Sequence, residues 1–320
     1  MIQNKRANII SVGTAVPERV LTNKDLEQVL NTTDAWITER TGIKQRHVFK
    51  SDDLTPLHEL GALAARRALD NAKLGATDVD AIICATFTPD NFFPSTACRM
   101  QAALGCTNAF AFDLSAACAG FVYGLTMANS LIVSGQCKTV LLVGAEIISR
   151  TLDWTDRSTC ILFGDGAGAV VMQATADEHR GVLSSFLMSD GTVGDILVLP
   201  ARGEKCQMRM NGNDVYKNAV RMMGHAVGQA LKKASLTADQ MDLLIPHQAN
   251  IRIINAIGEH FNIPREKIIT NLDRFGNTSA ASIPLALNEA WQAGRIKDGT
   301  LVVFTALGGG LACGSAVVRF

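Results

Sequence analysis

Ala68-Leu69-Asp70-Asn71-Ala72-Lys73-Leu74, followed by Val79-Asp80-Ala81-Ile82-Ile83, is written a second time without a gap. The second copy is Ala230-Leu231-Lys232-Lys233-Ala234-Ser235-Leu236, then Met241-Asp242-Leu243-Leu244-Ile245. Further echoes follow in the same order. Ser115-Ala116-Ala117-Cys118 returns as Ser279-Ala280-Ala281-Ser282, Thr139-Val140-Leu141-Leu142-Val143 as Thr300-Leu301-Val302-Val303-Phe304, and Gly168-Ala169-Val170-Val171 as Ser315-Ala316-Val317-Val318. Two copies are too few for a solenoid, so the pattern predicts a duplicated unit with pseudo-twofold symmetry. Each copy reads alike. A helix (60–72; 220–234) leads to a strand (81–85; 243–245), then a small-residue helix (118–134; 280–293), then two strands (140–144 with 167–172; 301–305 with 314–318). Strands apolar throughout, alternating with helices, imply sheets covered on both faces. Two such sheets around shared helices give an α/β body layered αβαβα. The halves are expected at 1–175 and 176–320, divided in the polar stretch Gln173 to Gly181.

Composition bounds the rest. With 320 residues, 48% of them hydrophobic, the chain can bury a large core without disulfides. Lys plus Arg equals Asp plus Glu at 30 each, and no long basic run interrupts the balance, so no nucleic-acid partner is expected. The cysteines form no C-x-x-C pair and no dense framework, which indicates neither a zinc site nor a disulfide scaffold. Thiols in so apolar a chain fit a reducing cytosol, and a cytoplasmic location is expected. Met1 to Arg6 leads into a strand-like run rather than an export signal. Leu114 to Cys137 is uncharged for 24 residues, long enough to span a bilayer. It also carries Ser115, Tyr123, Asn129, Ser130 and three glycines, and reads instead as a helix packed on all sides in a core, with no membrane role.

The symmetry breaks where chemistry would sit. By the echo, Cys118 stands where the second copy has Ser282, and His247 stands just after its strand where the first copy has Ala85. Asn277 lies in the turn-rich Phe275-Gly276-Asn277-Thr278-Ser279. A thiol heading a buried helix gains from the helix N-terminus, which favours thiolate. One half would then supply a nucleophile and the other its polar helpers, which suggests covalent acyl chemistry. Taken singly, each residue has a plainer reading: a buried cysteine as a small hydrophobe, a core imidazole, a Gly-Asn turn. Gly164-Asp165-Gly166-Ala167-Gly168 lacks the G-x-G-x-x-G spacing and reads as a tight turn beside a closely packed strand.

At these residues the sequence resembles the β-ketoacyl-acyl-carrier-protein synthase III family, condensing enzymes of the thiolase superfamily. The resemblance rests on Thr33-Asp34-Ala35-Trp36-Ile37, Arg40-Thr41-Gly42-Ile43, Phe93-Pro94-Ser95, Ala116-Ala117-Cys118-Ala119-Gly120-Phe121 and Thr155-Asp156-Arg157. It continues through Phe163 to Ala169, Pro246-His247-Gln248-Ala249-Asn250, Gly276 to Ser282, and Gly308-Gly309-Gly310. It implies a thiolase-like fold and a decarboxylative condensation of an acyl-CoA primer, acetyl-CoA foremost, with a malonyl-loaded acyl carrier protein.

Carried over, Cys118 is the acylated nucleophile, and His247 and Asn277 hold the malonyl thioester oxygen. The backbone amides of Cys118 and Gly309 form the other oxyanion hole. Trp36 and Arg157 sandwich the adenine of coenzyme A, with Thr32, Arg40, Asn213 and Asn250 along its path. Gln248, Ala249, Asn250, Ile251 and Arg252 meet the carrier protein, with Arg252 as the cation; Arg265, Lys267, Lys217 and Arg221 read either as further cations of that patch or as ordinary solvated helix charges. Phe93 reaches a partner subunit's acyl pocket, implying a homodimer, and Leu307 borders the pocket. No cofactor or metal is implied, since acyl-CoA is a substrate. Leu307 and Cys313 depart from the family's usual aromatics, which leaves primer choice open and keeps a related condensing enzyme of secondary metabolism, or one using malonyl-CoA, as the alternative. A papain-like hydrolase would need a Cys-Gly-Ser-Cys-Trp pattern, which is absent.

Overall fold

The structure is a computed structural model that describes residues 6–202 and 206–320. Met1 to Lys5, the start of the lead-in noted above, lie outside the described residues. Two sheets organise the chain. The first runs Arg6–Ala15, Gly166–Thr175, Thr139–Glu146, Ala81–Ala85, Phe110–Leu114, with Thr139–Glu146, Ala81–Ala85 and Phe110–Leu114 parallel. The second runs Gly181–Ser189, Ala312–Arg319, Leu301–Gly308, Leu243–Pro246, again with its last pair parallel. The two orders match strand for strand, and the first sheet adds Phe110–Leu114 at its edge.

Helices cover every sheet face. Leu57–Ala72 and Thr96–Leu104 pack outside the first sheet, and Gly212–Lys233 with Ile251–His260 outside the second. Gly120–Val133 and Ser282–Gln292 lie between the sheets. The result is five layers, αβαβα. Burial of both sheet faces explains why Ala81–Ala85, Thr139–Glu146 and Leu301–Gly308 are enclosed at every residue. Closeness is bought with glycine at Gly13, where a Cβ would stand 2.3 Å from the Ala68 backbone nitrogen.

The middle helix corrects one expectation. It starts at Gly120, after a 3-10 turn at Ala117–Ala119, and is not packed on all sides. Phe121, Val122, Leu125, Ala128 and Ile132 are buried, but Met127 and Val133 are 38% and 39% exposed as its last turns reach the surface. Among the described residues no helix is long and apolar enough to cross a membrane.

The two copies superpose through hydrogen bonds more faithfully than through letters. Asp80 accepts from the Thr139 N–H at 2.9 Å, and Asp242 accepts from the Leu301 N–H at 2.8 Å. Ala81 pairs with Val140, and Leu243 with Val302. Thr139 therefore corresponds to Leu301, one residue away from the echo's Thr300. The small-residue turns shift further. Ala117 (φ 46°) and Ser279 (φ 51°) each open a 3-10 turn in left-handed backbone, so Cys118 corresponds to Ala280 and not to Ser282. Runs of Ala and Ser carry little register information, whereas ladder bonds and backbone angles fix it.

Candidate active site

Cys118 sits on the turn between Phe110–Leu114 and the helix Gly120–Val133, 7% exposed. The end of Leu301–Gly308 presses on this turn: a Cβ at Gly308 would lie 2.5 Å from the Cys118 backbone nitrogen. Only glycine allows that approach. Burial pushes the Cys118 thiol up to about 12, and the nearby Ser279 hydroxyl pulls the other way. Burial thus works against the thiolate that a helix N-terminus favours.

His247 follows the buried strand Leu243–Pro246, and its N–H donates to the Thr305 carbonyl at 2.8 Å. Its Nδ1 lies 2.6 Å from Ser282 Oγ, which also accepts the Gln248 N–H at 3.3 Å. A hydroxyl hydrogen donated to Nδ1 would put the ring proton on Nε2. Burial pushes His247 down to about 3, so the ring is neutral. Asn277, 6% exposed, accepts the Ser279 N–H on Oδ1 at 2.9 Å, which leaves Nδ2 to donate elsewhere. Its backbone is tied across the halves: its N–H donates to the Leu162 carbonyl at 2.8 Å, and its carbonyl accepts the Gly164 N–H at 3.0 Å. The glycine-rich run at 164–168 is part of this packing, since a Cβ at Gly164 would stand 2.5 Å from the Phe275 carbonyl.

Cys118, His247 and Asn277 line one cavity of about 250 Å³. Trp36, Arg40, Arg157, Asn213, Ala249, Asn250, Arg252 and Leu307 line it too. Trp36 is capped by both arginines, with the Arg40 and Arg157 guanidinium carbons 4.8 and 5.0 Å from ring centroids. A flat ring inserted between Trp36 and Arg157 needs about 7 Å, two contact distances of about 3.5 Å. Arg157 must therefore withdraw before anything stacks there. Asn250 caps the helix Ile251–His260 through the Arg252 N–H at 2.9 Å and donates to the Arg40 carbonyl at 3.1 Å, joining the two rims. Thr32, half-buried near the Trp36 helix, does not line the cavity.

A second cavity of about 180 Å³ shares Cys118 and is lined by Phe87, Phe163, Leu197, Val198, Leu199, Met208, Ala117 and Gly309. The apolar wall near the sulfur is thus Phe87, Phe163, Leu197, Val198, Leu199 and Met208, and of these the sequence reading singled out only Phe163. Leu307 lines the larger cavity, and Cys313 is buried in the cluster outside the second sheet. Phe93 is 88% exposed and lines neither. Gln248 is fully enclosed: its amide donates to the Pro246 and Ile269 carbonyls and accepts the Asn271 N–H, so it cannot touch a partner. Arg252 is exposed beside the mouth, stacked on Tyr216 at 5.3 Å. Ile251 is half-buried. Among the described residues no group of three or more His, Cys, Asp or Glu could hold a metal ion.

The chain is similar to known proteins over nearly its whole length. Residues 112–191 match the family model for 3-oxoacyl-[acyl-carrier-protein (ACP)] synthase III, and residues 231–320 match the model for its C-terminal part. A curated relative from Acidiphilium cryptum, named beta-ketoacyl-[acyl-carrier-protein] synthase III, is 50% identical over 99% of this chain and 100% of its own. The crystal structure of 3-oxoacyl-[acyl-carrier-protein] synthase III from Aquifex aeolicus superposes with a TM-score of 0.94 at 46% identity, covering 98% of this chain and all of that one. The corresponding Pseudomonas aeruginosa structure gives 0.93 at 44% identity, covering 98% of each chain.

Proposed function

The chain belongs to the 3-oxoacyl-[acyl-carrier-protein] synthase III family, and from that premise we propose how its own residues divide the work. It is a condensing acyltransferase that starts fatty acid synthesis, joining an acyl-CoA primer to malonyl-ACP with loss of CO2. Cys118 attacks the primer thioester, and the Cys118 and Gly309 amides receive the oxyanion. His247 Nε2–H and Asn277 Nδ2–H then donate to the malonyl thioester oxygen as decarboxylation turns it into an enolate. A neutral imidazole suits that role because it donates without giving its proton away. The observation that carries this reading is the single cavity holding the thiol and both neutral donors.

Trp36, Arg40, Arg157, Asn213 and Asn250 mark the coenzyme A path, with Thr32 beside it. Arg252, with the exposed Lys217 and Arg221, offers a local positive field to an acidic carrier protein on a chain of zero net charge. The small apolar cavity at Cys118 favours a short primer such as acetyl. A homodimer is supported by the exposed Phe92 and Phe93 and by the open edge strand Phe110–Leu114, where Phe110 is 48% exposed. A cytoplasmic setting fits the thiol-rich composition. The test is intact-protein mass spectrometry after incubation with acetyl-CoA. One acetyl group should appear on the wild type and be absent from Cys118→Ala. An adduct retained in that variant, or absent from the wild type, overturns the reading.

A further inference from the structure

Arg46, in the short strand Gln45–His47, is completely enclosed. Burial lowers its pKa only to about 10, so it is charged at neutral pH. Among the described residues it forms no ion pair, and its Nε has no hydrogen-bond partner. An enclosed cation without a counter-ion weakens a fold rather than strengthening it. Packing alone gives no reason for an arginine here. Its two terminal nitrogens go to different parts of the chain. Nη1 donates to Asn23 Oδ1 at 2.9 Å and to the Leu21 carbonyl at 3.3 Å, and Nη2 donates to the Ile161 carbonyl. Asn23 donates in turn to the Ile43 carbonyl at 2.7 Å and to Asp34 Oδ1 at 2.9 Å, at the start of the helix Asp34–Thr41 that carries Trp36. One arm of the fork is thereby anchored. The other holds a strip of the cavity wall, since Ile161, Leu162 and Phe163 all line the site. That strip carries Asn277: the Leu162 carbonyl accepts its N–H, the Gly164 N–H donates to its carbonyl, and Phe163 pairs with it as an isolated bridge. On its other side the strip is tied to the Arg46 strand, where the His47 carbonyl accepts the Asp165 N–H at 2.8 Å. The Arg46 stem also packs beside Gly276, the residue before Asn277, where a Cβ would lie 3.1 Å from the Arg46 Cβ.

We propose that Arg46 is a positioning residue for the malonyl half-reaction: its buried fork fixes the strip Ile161–Phe163 and so sets where Asn277 presents its Nδ2 donor. This rests on the condensing reading above. Arg46 touches neither substrate nor the reacting sulfur, and it acts only through the backbone that holds Asn277. The chemistry explains why the residue is an arginine. A planar guanidinium reaches Asn23 and Ile161 at once with two separate nitrogens. A lysine keeps the charge but brings one nitrogen in place of two. Oxyanion donors must be placed before charge develops, and a misplacement of about 1 Å can cost about 10²-fold in rate. Asn277 sits in a loop, so its donor is only as well placed as the strip it is paired with. Cys118 lies on another turn, outside this network, so its acylation does not depend on the fork.

A double-mutant cycle over Arg46→Lys and Asn277→Ala tests this, read by single-turnover decarboxylation of malonyl-ACP and by acetylation of Cys118 at saturating acetyl-CoA. Arg46→Lys alone should slow decarboxylation by about 10- to 10²-fold, the scale of a displaced donor. Its acetylation rate should stay within about twofold of the wild type. In the Asn277→Ala background, Arg46→Lys should change decarboxylation by less than about twofold, because the donor it positions is already gone. A general packing defect would slow the enzyme equally in both backgrounds, so additive losses overturn the proposal. So does a folded Arg46→Lys enzyme that decarboxylates at the wild-type rate. Should Arg46→Lys not fold, Asn23→Ala frees one arm of the fork with Arg46 in place and runs through the same cycle. A smaller loss of decarboxylation, silent beside Asn277→Ala, supports the proposal, and an additive or absent loss overturns it. A wild type that releases no CO2 from malonyl-ACP and takes up no acetyl group sinks the condensing reading, and this proposal with it.

Discussion

The Ser282 hydroxyl stands 2.6 Å from His247 Nδ1, and in the proposed mechanism it donates there, so that Nε2 is the ring's donor. Loss of a donor to an oxyanion typically costs about 10²- to 10³-fold in turnover. Ser282→Ala removes the group that selects the tautomer, not the donor, so condensation should fall by about tenfold or more, short of that range. Acetylation of Cys118 should be unchanged. Stopped-flow condensation beside mass-spectrometric acylation checks this, and equal loss of both steps argues against a tautomer-setting serine.

Gly308 gives a steric prediction. Its absent Cβ would meet the Cys118 backbone nitrogen at 2.5 Å, a contact between two main chains that neither can relax by rotating a side chain. Gly308→Ala should destabilise the protein by about 1–3 kcal/mol, the range for overpacking. It should also slow acylation, because the shifted amide is one of the proposed oxyanion donors. Thermal melts and acylation rates read the two effects separately. A variant with wild-type values for both contradicts the turn's geometry.

The Arg157 and Arg40 guanidinium groups both stack on Trp36. On the proposed coenzyme A path, binding displaces Arg157 from the ring, so Trp36 fluorescence should change on titration with coenzyme A. Trp36→Ala should raise KM for acetyl-CoA by about tenfold, the equivalent of about 1.4 kcal/mol of stacking. The rate of malonyl decarboxylation should not move. An unaltered KM would place the adenine elsewhere.

Burial of neutral His247 has a pH signature. Its folded pKa of about 3 lies below the ordinary 6.5, so its contribution to stability is fully present above pH 6.5. As pH falls from 6.5 toward 3, the unfolded chain binds a proton that the folded one refuses, and stability declines. Each unit of difference is worth about 1.4 kcal/mol. Denaturant melts of His247→Gln between those limits should show a shallower decline than the wild type. Parallel curves would mean that the imidazole is solvated.

Much of this was legible in the chain. The repeat disclosed two matching sheets because Asp80 and Asp242 do one job twice, closing the turn before equivalent strands. The register of the active turn was not legible, since Ser115 to Cys118 and Ser279 to Ser282 share letters but not backbone angles. Ser282 consequently looked like a counterpart of Cys118, when it is the partner of His247. Arg46 was invisible because a lone cation in a short strand has no sequence signature; only folding encloses it. Gln248 was misplaced because its neighbour Asn250 lies at the cavity rim, while its own amide turns inward to backbone carbonyls.

The division of labour in the cavity is tested most directly by His247→Ala in single-turnover assays of both half-reactions. Acetyl transfer to Cys118 should proceed at the wild-type rate, while malonyl decarboxylation falls by about 10²- to 10³-fold. Loss of acetyl transfer in step with decarboxylation would contradict the assignment of nucleophile and donors to separate halves of the site.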